Sequence, residues 1–243
     1  MSATSILTLY ERLYAHYGPQ HWWPRRYGGN WEIVAGALLT QNCAWRNVER
    51  ALANLYAAGV DSADAVLSTP LPALQELIRP AGFFRQKSAY LHSLAAFYLK
   101  HGEEYATACS AAELQRRRRE LLALRGVGRE TADSILLYAF TQPIFVIDAY
   151  TRRVSERHLG IADAVSRRYD DLQAQFMAAL PKDTQLYNEY HALLVQFCKD
   201  SCLKKGCGAL CATLAGGEGG VEAGETDSVN CCAAARHAAK NRC

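Results

Sequence analysis

The 243-residue sequence lacks any long uninterrupted apolar run, although half of its residues are hydrophobic. No stretch approaches the roughly eighteen uncharged apolar residues that a membrane-spanning helix needs, and the N-terminus lacks the apolar core of a secretory signal peptide. These absences argue against a membrane-spanning or secreted protein and predict a cytoplasmic chain with reduced thiols. The nine cysteines are therefore expected to be free thiols or metal ligands rather than disulfides.

Net charge is also low, because 27 Lys and Arg residues oppose 24 Asp and Glu residues for a formal charge of +3. A generally basic surface is thus absent, and nucleic-acid binding would need locally clustered charge. Arginine clusters lie at 25–26, 116–119, 152–153 and 167–168. Each cluster alone is more typical of a solvated helix face than of a phosphate clamp.

Apolar residues recur at helical spacing along most of the chain, which predicts an all-α protein. The predicted helices are 4–17, 31–57 with a break at 40–42, 64–78, 86–99, 112–140 with a turn inside it, 149–159, 166–179 and 183–197. From about residue 213 the composition changes to Gly, Ala, Glu and Ser. Because such a composition buries too little apolar surface to fold, residues 213–243 are predicted to be a disordered tail.

The most informative stretch is 121–153, where two helical patterns flank the turn Gly126-Val127-Gly128. Glycine can reach positive φ and lets another molecule approach the backbone closely. The amides of Gly128 and Arg129 would open the second helix, where unpaired N–H groups favour a phosphate. The turn is therefore either a hairpin that grips the DNA backbone or an ordinary corner between two helices.

Asp148 ends an apolar run 20 residues after Gly128 and begins the next predicted helix. One interpretation is an N-cap, since aspartate is among the best residues at that position. The other is a functional carboxylate at a cleft, facing DNA held by the hairpin. The two interpretations are compatible.

This stretch resembles the helix–hairpin–helix glycosylases of the endonuclease III superfamily, in which a Gly-rich hairpin is followed by a catalytic aspartate. Gly-Val-Gly-Arg-Glu-Thr-Ala-Asp and Val-Ile-Asp-Ala-Tyr are similar to the branch of monofunctional 3-methyladenine DNA glycosylases. The resemblance implies that Asp148 is catalytic. Members with lyase activity carry a lysine where this chain has Glu130, and a carboxylate cannot form a Schiff base with a sugar aldehyde. Glu130 would also suit the positive end of a helix.

The resemblance covers nearly all of residues 5–205 and implies a two-lobed fold with a DNA cleft between the lobes. Residues 28–146 would form a six-helix lobe, and residues 1–27 with 147–212 the second lobe. The expected partner is double-stranded DNA containing a damaged base, bound by a monomer. A monovalent cation could join the hairpin when DNA is bound.

Several residues are implied to contact DNA, although the sequence alone also allows structural roles for them. Gln41 would enter the duplex where the damaged nucleotide leaves, and the alternative for it is a polar loop that caps a helix. The other implied DNA-contacting residues are Lys87, Gly126, Val127, Gly128, Arg129 and Arg152.

Tryptophans point to a base pocket. Trp22, Trp23 and Pro24 form a loop that, by resemblance, helps wall the pocket, whereas two adjacent tryptophans could equally plug the core. Trp45 matches an aromatic position that stacks on the flipped base. Such stacking suits an alkylated purine that carries positive charge.

Four cysteines, Cys198, Cys202, Cys207 and Cys211, form a C-x3-C-x4-C-x3-C pattern. Thiolates this close would repel one another unless a cation neutralised them. The resemblance implies a [4Fe–4S] cluster at this position, although the spacing differs from the family's C-x6-C-x2-C-x5-C. A rearranged cluster, a zinc ion and no metal remain open at this stage.

Together these features predict a base-excision-repair glycosylase that hydrolyses the N-glycosidic bond of a flipped damaged base such as 3-methyladenine. Asp148 would stabilise the positive charge that develops on the sugar and help direct water to C1′. One alternative is a glycosylase and lyase acting on oxidised pyrimidines, with Lys204 or Lys205 supplying the amine. A second alternative is a DNA-binding protein without catalytic activity.

Overall fold

A computed structural model of the chain describes residues 5–215, and within that range the regular elements are helices, with no β-strand. The all-α prediction is confirmed. The α-helices are α1 Ile6–Tyr17, α2 Gly29–Leu39, α3 Trp45–Ala57, α4 Ala63–Ser68, α5 Leu71–Leu77, α6 Phe84–Tyr105, α7 Ala111–Leu122, α8 Arg129–Ser134, α9 Ala149–His158, α10 Tyr169–Ala179, α11 Thr184–Asp200 and α12 Ala209–Ala215. A 3₁₀ turn at Arg79–Ala81 and a π-helical turn at Ile135–Ala139 complete the set.

The chain divides into two compact units. The hairpin unit is Trp23–Ile144, and the aspartate unit combines Met1–Trp22 with Phe145–Cys243. These bounds differ by a few residues from the lobes predicted from the sequence. The hairpin unit contains seven α-helices rather than six, because the predicted helix 64–78 is broken into α4 and α5.

The break lies at Thr69, which has extended backbone with ψ of 125°. Pro70 follows it, and a residue that precedes proline is disfavoured in the α conformation. The helix therefore ends before the proline and restarts at Leu71.

The hairpin unit is built around α2, whose residues from Trp31 to Leu39 are all buried. Helices α3, α6 and α8 and the π-helical turn pack around it. Glu32 is buried in the first turn of α2, where its carboxylate accepts hydrogen bonds from the amides of Arg26, Tyr27 and Gly28. A buried carboxylate with three N–H donors fixes the loop that enters this central helix.

In the aspartate unit the central helix is α11, which packs against α1 and α9. Tyr187, Tyr190 and Phe197 of this helix are fully buried. The ring of Phe145 stacks on Phe176 of α10 with the ring centroids 4.7 Å apart. The apolar run that leads to Asp148 is thereby anchored in the core.

Helix α12 extends to Ala215, with Leu214 buried and its carbonyl accepting a hydrogen bond from Arg12. The prediction that disorder begins at residue 213 is therefore wrong at its start, because Leu214 gives this short helix an apolar side chain to bury. The rest of that prediction, for 216–243, lies outside the described residues. None of the helices described between residues 5 and 215 is both long and apolar enough to cross a membrane.

Candidate active site

The predicted hairpin forms between α7 and α8. Gly126 has φ of +87°, and a Cβ at this position would lie 2.2 Å from the ring of Tyr90, so both backbone conformation and space require glycine. Gly128 has an ordinary extended φ of −89° and open space around its Cα. Val127 is buried, whereas Gly128, Arg129 and Glu130 are exposed. The turn thus presents a short stretch of backbone on the surface of the hairpin unit.

Gln41 follows α2 and is bound to this hairpin. Its Nε2 atom donates hydrogen bonds of 2.8 Å to the carbonyl oxygen of Gly126 and to Oγ1 of Thr131. Neighbouring Asn42 adopts a left-handed φ of 48° as the chain turns into α3. The structure therefore brings together Gln41 and the hairpin, which are far apart in the sequence.

The structure corrects the prediction that Lys87 contacts DNA. Lys87 is 2% exposed, and its ammonium group donates to the carbonyl oxygens of Leu39, Gln41 and Ala81 at 2.7, 2.8 and 2.8 Å. Because an ammonium has three donors, these acceptors use its full capacity. Burial also lowers the pKa of Lys87. Lys87 satisfies carbonyls at the end of α2 and holds the loop of Gln41.

An aromatic cluster lies in the hairpin unit. The half-buried rings of Trp23 and Trp45 meet edge to face with centroids 5.0 Å apart, and Tyr138 lies 5.7 Å from Trp23. A Cβ on Gly36 would come within 2.7 Å of the Trp23 ring, so glycine on α2 makes room for the indole. The sequence analysis missed Tyr138, because its buried position in the π-helical turn is set by tertiary packing.

Two other predicted pocket residues are less informative. Pro24 is half-buried beside Trp23 in the hairpin unit. Trp22 is half-buried and belongs to the aspartate unit.

Asp148 is the N-cap of α9 and is buried, with 8% exposure. Its Oδ1 accepts hydrogen bonds from the backbone amide and from the hydroxyl of Thr151, at 2.7 and 2.9 Å. Its Oδ2 lies 3.5 Å from Nε2 of His191 on α11. The N-cap role is therefore present, and it occupies one of the two carboxylate oxygens.

The pKa of Asp148 is lowered despite its burial. Burial alone would raise the pKa, but the charge and hydrogen-bonding capacity of His191 and the hydrogen bonds from Thr151 outweigh that effect. The carboxylate therefore stays ionised in a nearly dry environment. The sequence gave no sign of His191, since it lies on a different helix and belongs to no motif.

Arg152, the other predicted DNA contact in this unit, is half-buried on α9. Its Nη1 atom donates to the carbonyl oxygens of Ala164 and Arg167 at 2.9 and 2.7 Å. The guanidinium thus braces the loop between α9 and α10. A role on DNA would have to use its other N–H groups.

The cysteine cluster forms at the C-terminal end of the described chain. Cys198, Cys202 and Cys211 are buried and Cys207 is half-buried, all as free thiols. His158, the last residue of α9, lies with them: ligand atoms of His158, Cys202 and Cys211 are all within 4.8 Å of one another. Sequence reasoning missed His158 because it is remote in the chain from the cysteines.

Hydrogen bonds from the thiols of Cys198 and Cys211, and then the proximity of His158, lower the pKa of Cys202. The pKa values of Cys198 and Cys211 are raised, chiefly because each thiol donates to Cys202. The thiols therefore interact as one group. They can share negative charge in a way that isolated cysteines cannot.

Arg157 fastens the loop that carries Cys202. Its guanidinium donates to the carbonyl oxygens of Leu203 and Lys204 at 2.7 and 3.2 Å. Further along the loop, the amide of Gly208 donates to the carbonyl oxygen of Ser201 at 2.7 Å. These bonds fold the cysteine segment back on itself and onto α9.

Comparisons with known proteins agree with this arrangement. The family profile described as HhH-GPD superfamily base excision DNA repair protein matches residues 35–182. A Methanocaldococcus jannaschii protein named as a DNA repair glycosylase is 43% identical over 207 residues, which cover 85% of this chain and 91% of that protein. Endonuclease III of Bacillus subtilis is 30% identical over 174 residues, or 70% of this chain and 72% of the relative.

Two solved structures are similar as well. One is the Helicobacter pylori 3-methyladenine DNA glycosylase bound to 1,N6-ethenoadenine, with a TM-score of 0.68, 27% identity, and coverage of 80% of this chain and 97% of that one. The other is an endonuclease III trapped in a covalent intermediate with DNA, with a TM-score of 0.69, 22% identity, and coverage of 86% and 90%. The chain thus belongs to the HhH-GPD superfamily of base excision DNA repair proteins.

Proposed function

We propose that this DNA glycosylase is monofunctional and hydrolyses the N-glycosidic bond of an alkylated purine such as 3-methyladenine. The observation that carries the proposal is Asp148, a buried carboxylate with a lowered pKa. The partner is double-stranded DNA that contains the damaged base, and the protein acts as a monomer. A glycosylase of the same fold, from H. pylori, has been solved with 1,N6-ethenoadenine, itself a modified purine base.

Asp148 has the geometry for electrostatic catalysis. Thr151 fixes Oδ1, so the carboxylate cannot rotate freely, and Oδ2 keeps a looser contact with His191. As the glycosidic bond breaks, positive charge spreads over the sugar ring, and a fixed anion in a dry site stabilises that charge strongly. The same carboxylate can orient the attacking water. A cationic alkylpurine leaves readily, so no strong general acid is needed.

The aromatic cluster of Trp23, Trp45 and Tyr138 supports the choice of base. Indole faces attract a cationic ring more strongly than a neutral one. Stacking on an aromatic side chain is worth about 1–3 kcal/mol per base and imposes little sequence preference. Discrimination in such a pocket would come from the charge of the damaged purine. Trp22 and Pro24 would complete its wall.

DNA would be gripped by the hairpin unit. The exposed turn of Gly128 and Arg129, above buried Val127, offers backbone for phosphate contacts, and a monovalent cation could bind the Gly126 turn together with DNA. Gln41 would fill the gap left by the flipped nucleotide. Lys87 would support this step indirectly, because it holds the Gln41 backbone.

Glu130 is the feature that separates the proposal from a lyase. It is exposed in the first turn of α8, where a carboxylate suits the positive end of the helix and offers no amine to a sugar aldehyde. The rival is an endonuclease III-type glycosylase and lyase, favoured by the 30% identity to the B. subtilis enzyme. In that case a displaced lysine such as Lys204 or Lys205 would form the imine.

One experiment separates the two activities. Duplexes that each contain one defined lesion are incubated with the full chain, and products are compared with and without alkali and after borohydride reduction. We expect release of 3-methyladenine, strand breaks only after alkali, and no trapped adduct. Release of oxidised pyrimidines with efficient borohydride trapping would favour the rival, and binding without any base release would favour a non-catalytic DNA-binding protein.

The predicted [4Fe–4S] cluster has a more equivocal fit to these coordinates. A cubane cluster binds each of four thiolates to a different iron. The buried group found here instead gathers one imidazole and two thiols within 4.8 Å, with Cys198 and Cys207 beside them. The proposed chemistry at Asp148 uses no metal and does not depend on the outcome.

A further inference from the structure

His158 is a buried histidine without an evident structural reason for its polarity. It is 8% exposed, its ring meets Phe197 edge to face at 5.2 Å, and neither Nδ1 nor Nε2 has a hydrogen-bond partner among the described residues. Leaving a buried polar group unsatisfied costs about 1–3 kcal/mol. An apolar residue would pack against Phe197 without that cost. The ring nitrogens instead lie beside two thiols.

The separation of the donor atoms suits a single ion. At metal–ligand distances of about 2.0–2.3 Å, neighbouring ligand atoms of a tetrahedral zinc site lie about 3.3–3.8 Å apart. Ligand atoms of His158, Cys202 and Cys211 are already within 4.8 Å of one another. Small side-chain rotations would therefore close three corners of a tetrahedron around one ion.

Two cysteines compete for the fourth corner. Cys198 is fixed in α11, where its thiol donates to the carbonyl oxygen of Tyr150 at 3.8 Å. Cys207 is half-buried in the non-helical loop before α12, and its side chain interacts with Cys211. The intervals Cys202-x4-Cys207 and Cys207-x3-Cys211 also fall within the spacing typical of structural zinc sites. The mobile loop position favours Cys207.

We propose that His158, Cys202, Cys207 and Cys211 form a tetrahedral site for one zinc-class divalent ion. The ion ties the end of α9 to the segment that follows α11 and leads into α12. Helix α9 begins at Asp148 and ends at His158, so the ion anchors the far end of the helix that carries the functional carboxylate. Its role is structural, since four protein ligands leave no open position for substrate.

The test measures metal content of the full chain, purified without chelators and without oxygen. Elemental analysis is expected to find one zinc per chain and no stoichiometric iron. His158→Ala should lose the zinc, whereas His158→Cys should retain it, because a fourth thiolate restores the tetrahedral set. A purely structural histidine would not be rescued by cysteine.

Cys198→Ser is the matched control, since it removes another buried thiol of the same cluster. It should keep the zinc that Cys207→Ser loses, and the reverse pattern would overturn the assignment of the fourth ligand. Cobalt(II) added to metal-free protein should give the thiolate charge-transfer band and the intense visible bands of tetrahedral cobalt, weakened in His158→Ala. About four iron atoms per chain, unchanged in His158→Ala, would overturn the proposal. So would a wild-type chain that takes up neither zinc nor cobalt.

Discussion

Two buried aspartates of this protein differ in how completely their charge is matched. Asp133 of α8, in the hairpin unit, is fully buried, and both carboxylate oxygens accept hydrogen bonds from Arg118 at 2.7 and 3.0 Å. Asp148, in the aspartate unit, has one oxygen held by Thr151 and the other 3.5 Å from His191, beyond the usual length of an N–H···O hydrogen bond. The two residues share burial and charge, but only one carries a fully engaged bidentate pair.

The difference teaches how to separate a structural carboxylate from a functional one. A bidentate arginine fixes both oxygens and a full positive charge, which leaves little for a substrate to gain. A carboxylate fixed through one oxygen keeps its orientation while the other oxygen can face a developing cation. Burial or a lowered pKa alone would not distinguish the two roles.

The largest expected effect is on folding, from Asp133→Asn. Removing one partner of a buried ion pair leaves the Arg118 charge uncompensated, so the free energy of unfolding should fall by about 3–5 kcal/mol. Urea unfolding measures this loss. Asp171→Asn, at an exposed carboxylate of α10, is the control and should change stability little. A stable Asp133→Asn protein would show that the pair is not the structural element described here.

Asp148→Asn should reverse the pattern. Asparagine caps a helix about as well as aspartate, so stability should be nearly unchanged. Loss of the fixed anion should slow base release by ~10²–10³. Single-turnover release of the damaged base measures the rate. Wild-type rates in this variant would remove Asp148 from the reaction, whatever the lesion.

His191→Gln should have an intermediate effect. The glutamine amide can still donate to Oδ2, but the positive charge is lost, so the pKa of Asp148 should rise. The acidic limb of the pH–rate profile should then move to higher pH, with a loss of about tenfold near neutrality, equivalent to about 1.4 kcal/mol. A uniform loss of rate with an unmoved acidic limb would mean that His191 only packs beside the carboxylate.

The smallest effect is in the pH dependence of stability. Because the folded-state pKa of Asp148 is lowered, its contribution is fully present above the unfolded value of about 3.9 and is lost as pH falls through the lower folded-state value. The stability difference between wild type and Asp148→Asn should therefore shrink as pH falls from 5 to about 2. A difference that stays constant over this range would contradict the lowered pKa.

Local patterns explain why much of this could be predicted. The hairpin glycines and the N-cap position of Asp148 each depend on neighbouring residues, so the sequence displays them. Pro70 also marks the break between α4 and α5, although the helical pattern of 64–78 concealed it.

What could not be predicted depends on tertiary contacts. A lysine after a Gly-containing turn looks solvent-exposed, yet Lys87 is buried because three carbonyls converge at the end of α2. His158 and His191 reach their partners only through the packing of α9 and α11. Single histidines on helices give no local signal of such contacts.

The bonds from Gln41 to Gly126 and Thr131 have a consequence for how such a protein would search intact DNA. If Gln41 probes the duplex, each probing event must first release these two bonds, worth about 1 kcal/mol apiece. The retracted state would then be favoured by a factor of roughly 30 unless the DNA repays the loss. A normal, well-stacked base pair resists extrusion, whereas a damaged one yields more easily. The glutamine would act as a threshold detector, set by the same hairpin that holds the backbone.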